Sequence, residues 1–361
     1  MNDVVPALFE AFPQVGKRAA WISLGSFPTP VQRLRRLGHD RLWIKRDDVS
    51  ADAYGGNKVR KLQFILADVR KQSKTHIVTT GAVGTHHGVA TAIFGNRLGL
   101  KTSLLLFDQP ITDHVKQNLL LMKKYGANLI YKKTLFRTMF AFYTVERIRY
   151  PAAYFLYPGG SNAVGTLGYV DAVFELKKQI DGGHLPKPDL IFCPLGSGGT
   201  LAGLSLGMLL SGLAISVIGV RVIHARIGPF PATTTGTVKK IMRHTYRFLK
   251  QMDAQLPEID MKAPVILDAY LGDGYGHPTP AGRKALKLMQ EKEGIILETT
   301  YTAKTFAAVL EYCQAHRTGR ETVLFWNTFN SVDLTAAVSS VNYNAFPTAL
   351  HKILKMETIQ L

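Results

Sequence analysis

The sequence predicts an α/β fold of two domains, each a mostly parallel sheet flanked by helices. Three observations predict it. Short apolar segments alternate with longer amphipathic ones, glycines cluster once between two such series, and one long uncharged run breaks into strand, turn, helix and strand.

The alternation begins with LWIKR at 42–46. HIVTT at 76–80 follows, with a helical pattern ending near Leu98, and then SLLLF at 103–107, NLIY at 128–131 and YFLY at 154–157. Strands that recur with helical stretches between them imply parallel pairing, because a parallel strand needs a long crossover. The glycine cluster PGGSNAVGTLGY at 158–169 marks a break. Residues 60–165 then form a smaller domain, and residues 1–59 with 166–361 form a larger one. From Leu190 to Val220 no residue is charged, a run longer than the ~20 residues that cross a bilayer. It nevertheless divides into LIFCP, LGSGG, TLAGLSLGMLLSG and AISVIGV, the pattern of buried parallel-sheet units. Residues 224–237, rich in Thr, Pro and Gly, read as a loop before a basic helix that ends near Gln255.

Composition narrows the function classes. With 361 residues, 46% hydrophobic and 19% charged, the chain has material for a sizeable core and lies far from disorder. The net charge of +18 is scattered in local pairs such as Lys123-Lys124 and Lys239-Lys240, without a basic tail or an RNA-binding signature. Small anionic molecules, rather than nucleic acid, are the expected beneficiaries. Cys193 and Cys313 are too few for a disulfide framework and match no metal spacing, so buried thiols are expected and no metal. The first residues lack a basic segment followed by an apolar run, so a cytoplasmic location with no membrane partner is expected.

Three segments bear on chemistry. GSGGT at 196–200 follows an apolar strand and opens a helix, which suits either an anion held by backbone N–H groups or simple close packing. It lacks the lysine of an ATPase loop and is not GxGxxG. KRDDVSADAYGGNKVRKL at 45–62 places Lys58 after a Gly-Gly-Asn turn, where it is either a surface helix start or an amine directed into a cleft. In the second case, neighbouring cations such as Arg60 and Lys61, or desolvation, would have to lower its pKa. TTGAVGTHHGVATA at 79–92 offers Thr85, His86 and His87 at another strand-to-helix turn, either for a substrate carboxylate or as a solvated turn. Adjacent histidines face different sides of a helix, which disfavours a shared metal.

These segments occur in an order that resembles one family, the 1-aminocyclopropane-1-carboxylate deaminases and D-cysteine desulfhydrases, fold type II enzymes dependent on pyridoxal 5'-phosphate with a tryptophan synthase β-like fold. The resemblance runs through FPTPVQRL, LWIKRDDVS, YGGNKVRKL, LGSGGTLAGL, GYGHP and ILETTYTAKTF. It implies that Lys58 carries the cofactor, with Asn57 beside it and Lys61 near the phosphate. Gly196, Ser197, Gly198, Gly199 and Thr200 form the phosphate cup, and Tyr275 and Tyr301 stand near cofactor and substrate. The residue facing the pyridine nitrogen is Thr302, where the deaminases resemble YEGK and the desulfhydrases YTGK.

Two departures stand out. The family's QSNH aligns with Gly84, Thr85, His86 and His87, so a threonine replaces the serine proposed to act on substrate, a histidine replaces the asparagine near the cofactor oxygen, and only His87 matches. The closing HTGG appears as Asn327, Thr328, Phe329 and Asn330, where two bulky residues are expected to narrow the space around the cofactor or reshape the substrate pocket. A neutral hydroxyl at Thr302 favours β-elimination of the D-cysteine desulfhydrase kind, which yields a keto acid, ammonia and sulfide. Deamination of the cyclopropane amino acid is the alternative, and a pyridoxal phosphate or amino-acid binding protein with altered catalysis is a third reading. A small amino acid is the expected substrate, and the resemblance implies a homodimer.

Overall fold

The computed structural model describes residues 5–227, 230–316 and 320–359. Its chain forms two compact units, Met1–Phe64 with Ser161–Ser331 and Ile65–Gly160 with Val332–Leu361.

The first unit is built on a six-stranded sheet, in the order Val31–Arg33, Leu42–Arg46, Val323–Asn327, Leu190–Leu195, Ser216–Arg221 and Val265–Leu267. Only the edge pair, Val31 against Lys45, is antiparallel. The other four pairings are parallel. Its core lies in two apolar clusters. Helices Ala163–Asp181, Gly199–Ser211 and Thr235–Met252 contribute Val170, Leu204 and Met242 to one, and helix Thr302–Ala315 contributes Phe306 and Val309 to the other. Cys193 and Cys313 are buried free thiols within these clusters.

The uncharged run resolves as the sequence predicts, into strand Leu190–Leu195, helix Gly199–Ser211 and strand Ser216–Arg221. Among the described residues no helix is long and apolar enough to cross a membrane. In the segment read as a loop, 226–227 and 230–231 pair antiparallel, while 228 and 229 lie outside the described residues.

The second unit holds a four-stranded, all-parallel sheet in the order Asn128–Lys133, Lys101–Phe107, His76–Ala82 and Tyr154–Phe155. Three boundaries differ from those expected, the smaller domain's stretch ending at Gly160 rather than at 165. The first turns of helix Asn57–Lys71 stay with the first unit because Phe64 enters its core and Arg60 its ion network. The C-terminal segment, expected with the larger domain, clusters with the second unit. There Ile359 N–H donates to Ile111 O at 2.8 Å, and Met356 O accepts from Lys116 Nζ at 2.6 Å.

Candidate active site

Lys58 sits on the first turn of helix Asn57–Lys71, after a turn that only glycine fits. Gly56 has φ +88°, and a Cβ there would lie 2.7 Å from Phe329 O and 2.8 Å from Thr328 O. That close approach serves the backbone: Gly56 N–H donates to Asp47 O at 2.7 Å and Asn57 N–H to Thr328 O at 3.1 Å. Gly55 N–H donates to Asn330 Oδ1 at 2.6 Å. The turn is therefore clamped from both sides.

The Asn57 carboxamide then joins two groups. Its Oδ1 accepts from Lys58 Nζ at 2.8 Å, and its Nδ2 donates to Thr200 Oγ1 at 3.2 Å. Burial brings the Lys58 amine down to about 8, with Glu298 pulling the other way. Desolvation is the largest cause of that lowering, and Arg60 is not among the causes.

Arg60 turns away from Lys58 into a buried ion network. Its guanidinium meets Asp47 and Glu175, each at 2.8–3.0 Å, and Lys45 Nζ also pairs with Glu175. Tyr169 OH and Trp326 Nε1 donate to Asp47 Oδ2 at 2.8 and 2.7 Å. Two cations face two anions with further polar partners, the condition under which buried charges are tolerated. Burial alone would raise the Glu175 pKa, but Arg60 and Lys45 hold it at about 2. The network fixes the helix that carries Lys58 to the strands Leu42–Arg46 and Val323–Asn327.

Thr200 belongs to the glycine turn, where Gly198 (φ +88°) caps helix Gly199–Ser211. Gly199 N–H donates to Ser161 Oγ at 3.1 Å, and Ser161 and Ser197 hydroxyls lie 2.7 Å apart. Lys61 Nζ donates to Ser161 Oγ at 3.4 Å. A Cβ at Gly199 would sit 2.5 Å from Ser161 Oγ and 2.8 Å from Lys61 Nζ, so a side chain there would fill the cradle. Burial, and then the nearby Lys58, push the Lys61 pKa well down. N–H groups at a helix start, two hydroxyls and an amine are together the donor set of a phosphate site. Sequence reasoning missed Ser161, although it lies in the glycine cluster that was read only as a break.

Tyr301 donates to Tyr275 across 3.0 Å, with the rings edge to face. The Tyr301 ring packs where a Cβ on Gly196 would meet it at 2.9 Å, which places the pair beside the cup. Burial holds the Tyr275 pKa up at about 12 and that of Tyr301 well above the usual phenol range. Glu298, also missed, accepts the N–H groups of Thr300, Tyr301 and Thr302 at 2.7–2.8 Å. It caps helix Thr302–Ala315, its signal being a carboxylate four residues before a helix start. Burial raises its pKa against those three bonds. Thr302 Oγ1 accepts from Glu298 N–H at 2.9 Å and is fully buried.

Thr85, His86 and His87 lie in the second unit. Thr85 caps helix His86–Arg97, accepting from Gly88 N–H at 3.2 Å. The two imidazoles diverge as the helical spacing requires. His87 Nε2 meets Thr79 Oγ1 at 3.0 Å, whereas the His86 ring lies 4.9 Å from that of His114, whose pKa burial lowers to about 4.

The family described as pyridoxal-phosphate dependent enzyme matches residues 22–328. The chain belongs to this family. A putative 1-aminocyclopropane-1-carboxylate deaminase of Thermotoga maritima is 33% identical over 317 residues, covering 85% of this chain and 95% of its own. A D-cysteine desulfhydrase of Klebsiella pneumoniae is 32% identical, covering 79% and 85%. Among solved structures, an ACC deaminase homologue superposes with TM-score 0.76 at 29% identity, covering 92% of this chain and 99% of its own. The processed threonine deaminase isoform 2 of Solanum lycopersicum, at TM-score 0.60 and 16% identity over 92% of this chain and 93% of its own, shares the fold. As a member of the pyridoxal-phosphate dependent enzymes the chain uses pyridoxal phosphate and has the fold of the family, and its similarity to these relatives makes it a pyridoxal-phosphate dependent lyase.

Proposed function

We propose that Lys58 carries the pyridoxal phosphate, that the turn 196–200 with Ser161 and Lys61 holds its phosphate, and that the enzyme eliminates a β leaving group from a small amino acid of the D-cysteine kind. The observation that carries the reading is the Asn57 bridge, which fixes the Lys58 amine and Thr200 of the anion cup at one spacing. The residues fit the group: the cradle would be filled by any side chain at Gly199, and a desolvated amine suits an aldehyde.

When bound, the cofactor's ring accepts the electron pair left on Cα as its proton departs. Once the substrate's own amine has displaced it from the cofactor, the freed Lys58 Nζ, which burial brings to about 8, would take that proton. Tyr275 and Tyr301 keep their protons at neutral pH and so donate hydrogen bonds rather than act as bases. Thr302 we place against the ring nitrogen as an uncharged partner, which suits elimination. Thr85 keeps an O–H to donate while accepting from Gly88, and we assign it, together with His86 and His87, to the substrate carboxylate. The Cβ–S bond would break, Lys58 would return its proton to the departing thiolate and, neutral again, displace the enamine, which would hydrolyse in water to pyruvate and ammonia.

Purified protein given D-cysteine should release sulfide, pyruvate and ammonia in equal amounts. Release of ketobutyrate from the cyclopropane amino acid, with D-cysteine inert, would assign the reaction borne by the putative deaminase relatives instead. Lys58→Ala should lose the near-visible absorbance of the bound cofactor; retention of the band would remove Lys58 from the role. We further propose a homodimer, to be checked by light scattering.

A further inference from the structure

Apolar side chains on the second unit crowd onto one exposed face. On helix Leu135–Tyr143, Phe136 (75% exposed), Phe140 and Tyr143 follow one stripe at helical spacing. The next helix, Val145–Arg149, adds Val145 and Ile148, the latter 83% exposed, and Tyr157 brings its ring to 6.4 Å from that of Tyr143. Single exposed apolar residues are ordinary, whereas six that cluster mark a contact surface.

The charge of this segment is mostly basic. Residues 131–157 carry five basic residues, Lys132, Lys133, Arg137, Arg147 and Arg149, against one acidic residue, Glu146, which is buried and pairs with Lys132 at 3.7 Å. Two carboxylates from other elements reach it, Asp108 through Tyr131 and Asp68 through Tyr154. The Arg147 and Arg149 guanidiniums lie over the Phe155 and Tyr150 rings at 4.5 and 5.5 Å, which holds them at the rim of the patch.

We infer that this face binds an anionic lipid bilayer surface, with the rings in the headgroup layer and the cations on acidic headgroups. Two arguments select that partner. A second copy docked about a two-fold axis would set the same basic patch against itself, which is unfavourable. An apolar, aromatic stripe with a Lys/Arg rim is the composition of a helix lying in a membrane interface, where tyrosines also concentrate. No spanning helix is needed for such contact, so the membrane that the sequence reading set aside returns as a surface.

The test is co-sedimentation of the full-length holoenzyme with vesicles of phosphatidylcholine alone or mixed with phosphatidylglycerol. Binding is expected only to the mixed vesicles and should weaken with salt. F136S/F140S should weaken it roughly tenfold or more. K133Q/R137Q should weaken it roughly fivefold per charge removed. All four side chains are exposed, so amino-acid turnover should be unchanged. Equal partition to neutral vesicles, no binding to mixed vesicles at low salt, or full binding by F136S/F140S would overturn the inference. Conversion of a wild-type dimer to monomer by F136S/F140S would overturn it too, assigning the face to a second copy.

Discussion

Lys58 is a lysine made reactive by its surroundings, and its pH behaviour follows from their sign. Because burial brings its amine to about 8, the neutral, nucleophilic form gains on the ammonium as pH rises toward that value. Cofactor uptake by the apoenzyme should therefore accelerate about tenfold per pH unit well below the pKa and level off above it. Stopped-flow absorbance measures this, and a rate that stays flat below that value would refute it. Asn330 offers a second residue-scale test. Its carboxamide occupies the Gly55 N–H, so Asn330→Gly, which restores the family's residue, should leave that buried donor unpaired and cost about 1–3 kcal/mol. Calorimetric unfolding and cofactor affinity should fall together, and unchanged values would show that the clamp is idle. The GGNK and GSGGT segments were legible as motifs because glycine requirements are local. The roles of Asn330 and Ser161 were not, since each acts through a contact 100 residues or more away with Lys58's turn or Lys61.

At the scale of elements, the alternating strands announced themselves by short apolar runs, and Leu42–Arg46 and Leu190–Leu195 lie where those runs do. The strand Val323–Asn327 escaped notice although it sits between those two in the sheet. Its run VLFW is as apolar as theirs, but its place between strands that end at Arg46 and Leu195 is set by parallel pairings across more than a hundred residues, which no local period encodes. Ion pairs between elements were equally hidden. Helix Ala163–Asp181 contributes Glu175 to the network and also Asp171, whose Oδ1 accepts from Leu8 N–H at 2.9 Å. Burial raises the Asp171 pKa to about 7, above its unfolded value of 3.8. The folded state thus holds a proton that the unfolded state releases in this interval, and stability falls as pH rises from 3.8 toward 7. Asp171→Asn keeps the acceptor for Leu8 without the charge. Its melting temperature should match wild type near the low end of that window and exceed it at neutral pH, by a stability difference on the order of a few kcal/mol at most. A constant difference across the window would refute the assignment.

On the scale of the whole molecule, the excess of 18 positive charges has a kinetic consequence that no single residue carries. The proposed cup draws on neutral donors and on a single buried amine, Lys61, so the local site contributes little long-range attraction beside the whole chain. The scattered surface lysines and arginines supply it instead, as a diffuse positive field around a site for a dianionic cofactor. Such a field is screened over a Debye length of about 10 Å at 0.1 M salt, whereas the hydrogen bonds of the cup are not. Raising the ionic strength should therefore slow cofactor association severalfold while leaving the dissociation rate nearly constant. Stopped-flow mixing at low and high salt separates the two rates. If salt instead altered only dissociation, the attraction would reside in the cup itself, and the charge of the chain would have to be explained by its surface contacts alone.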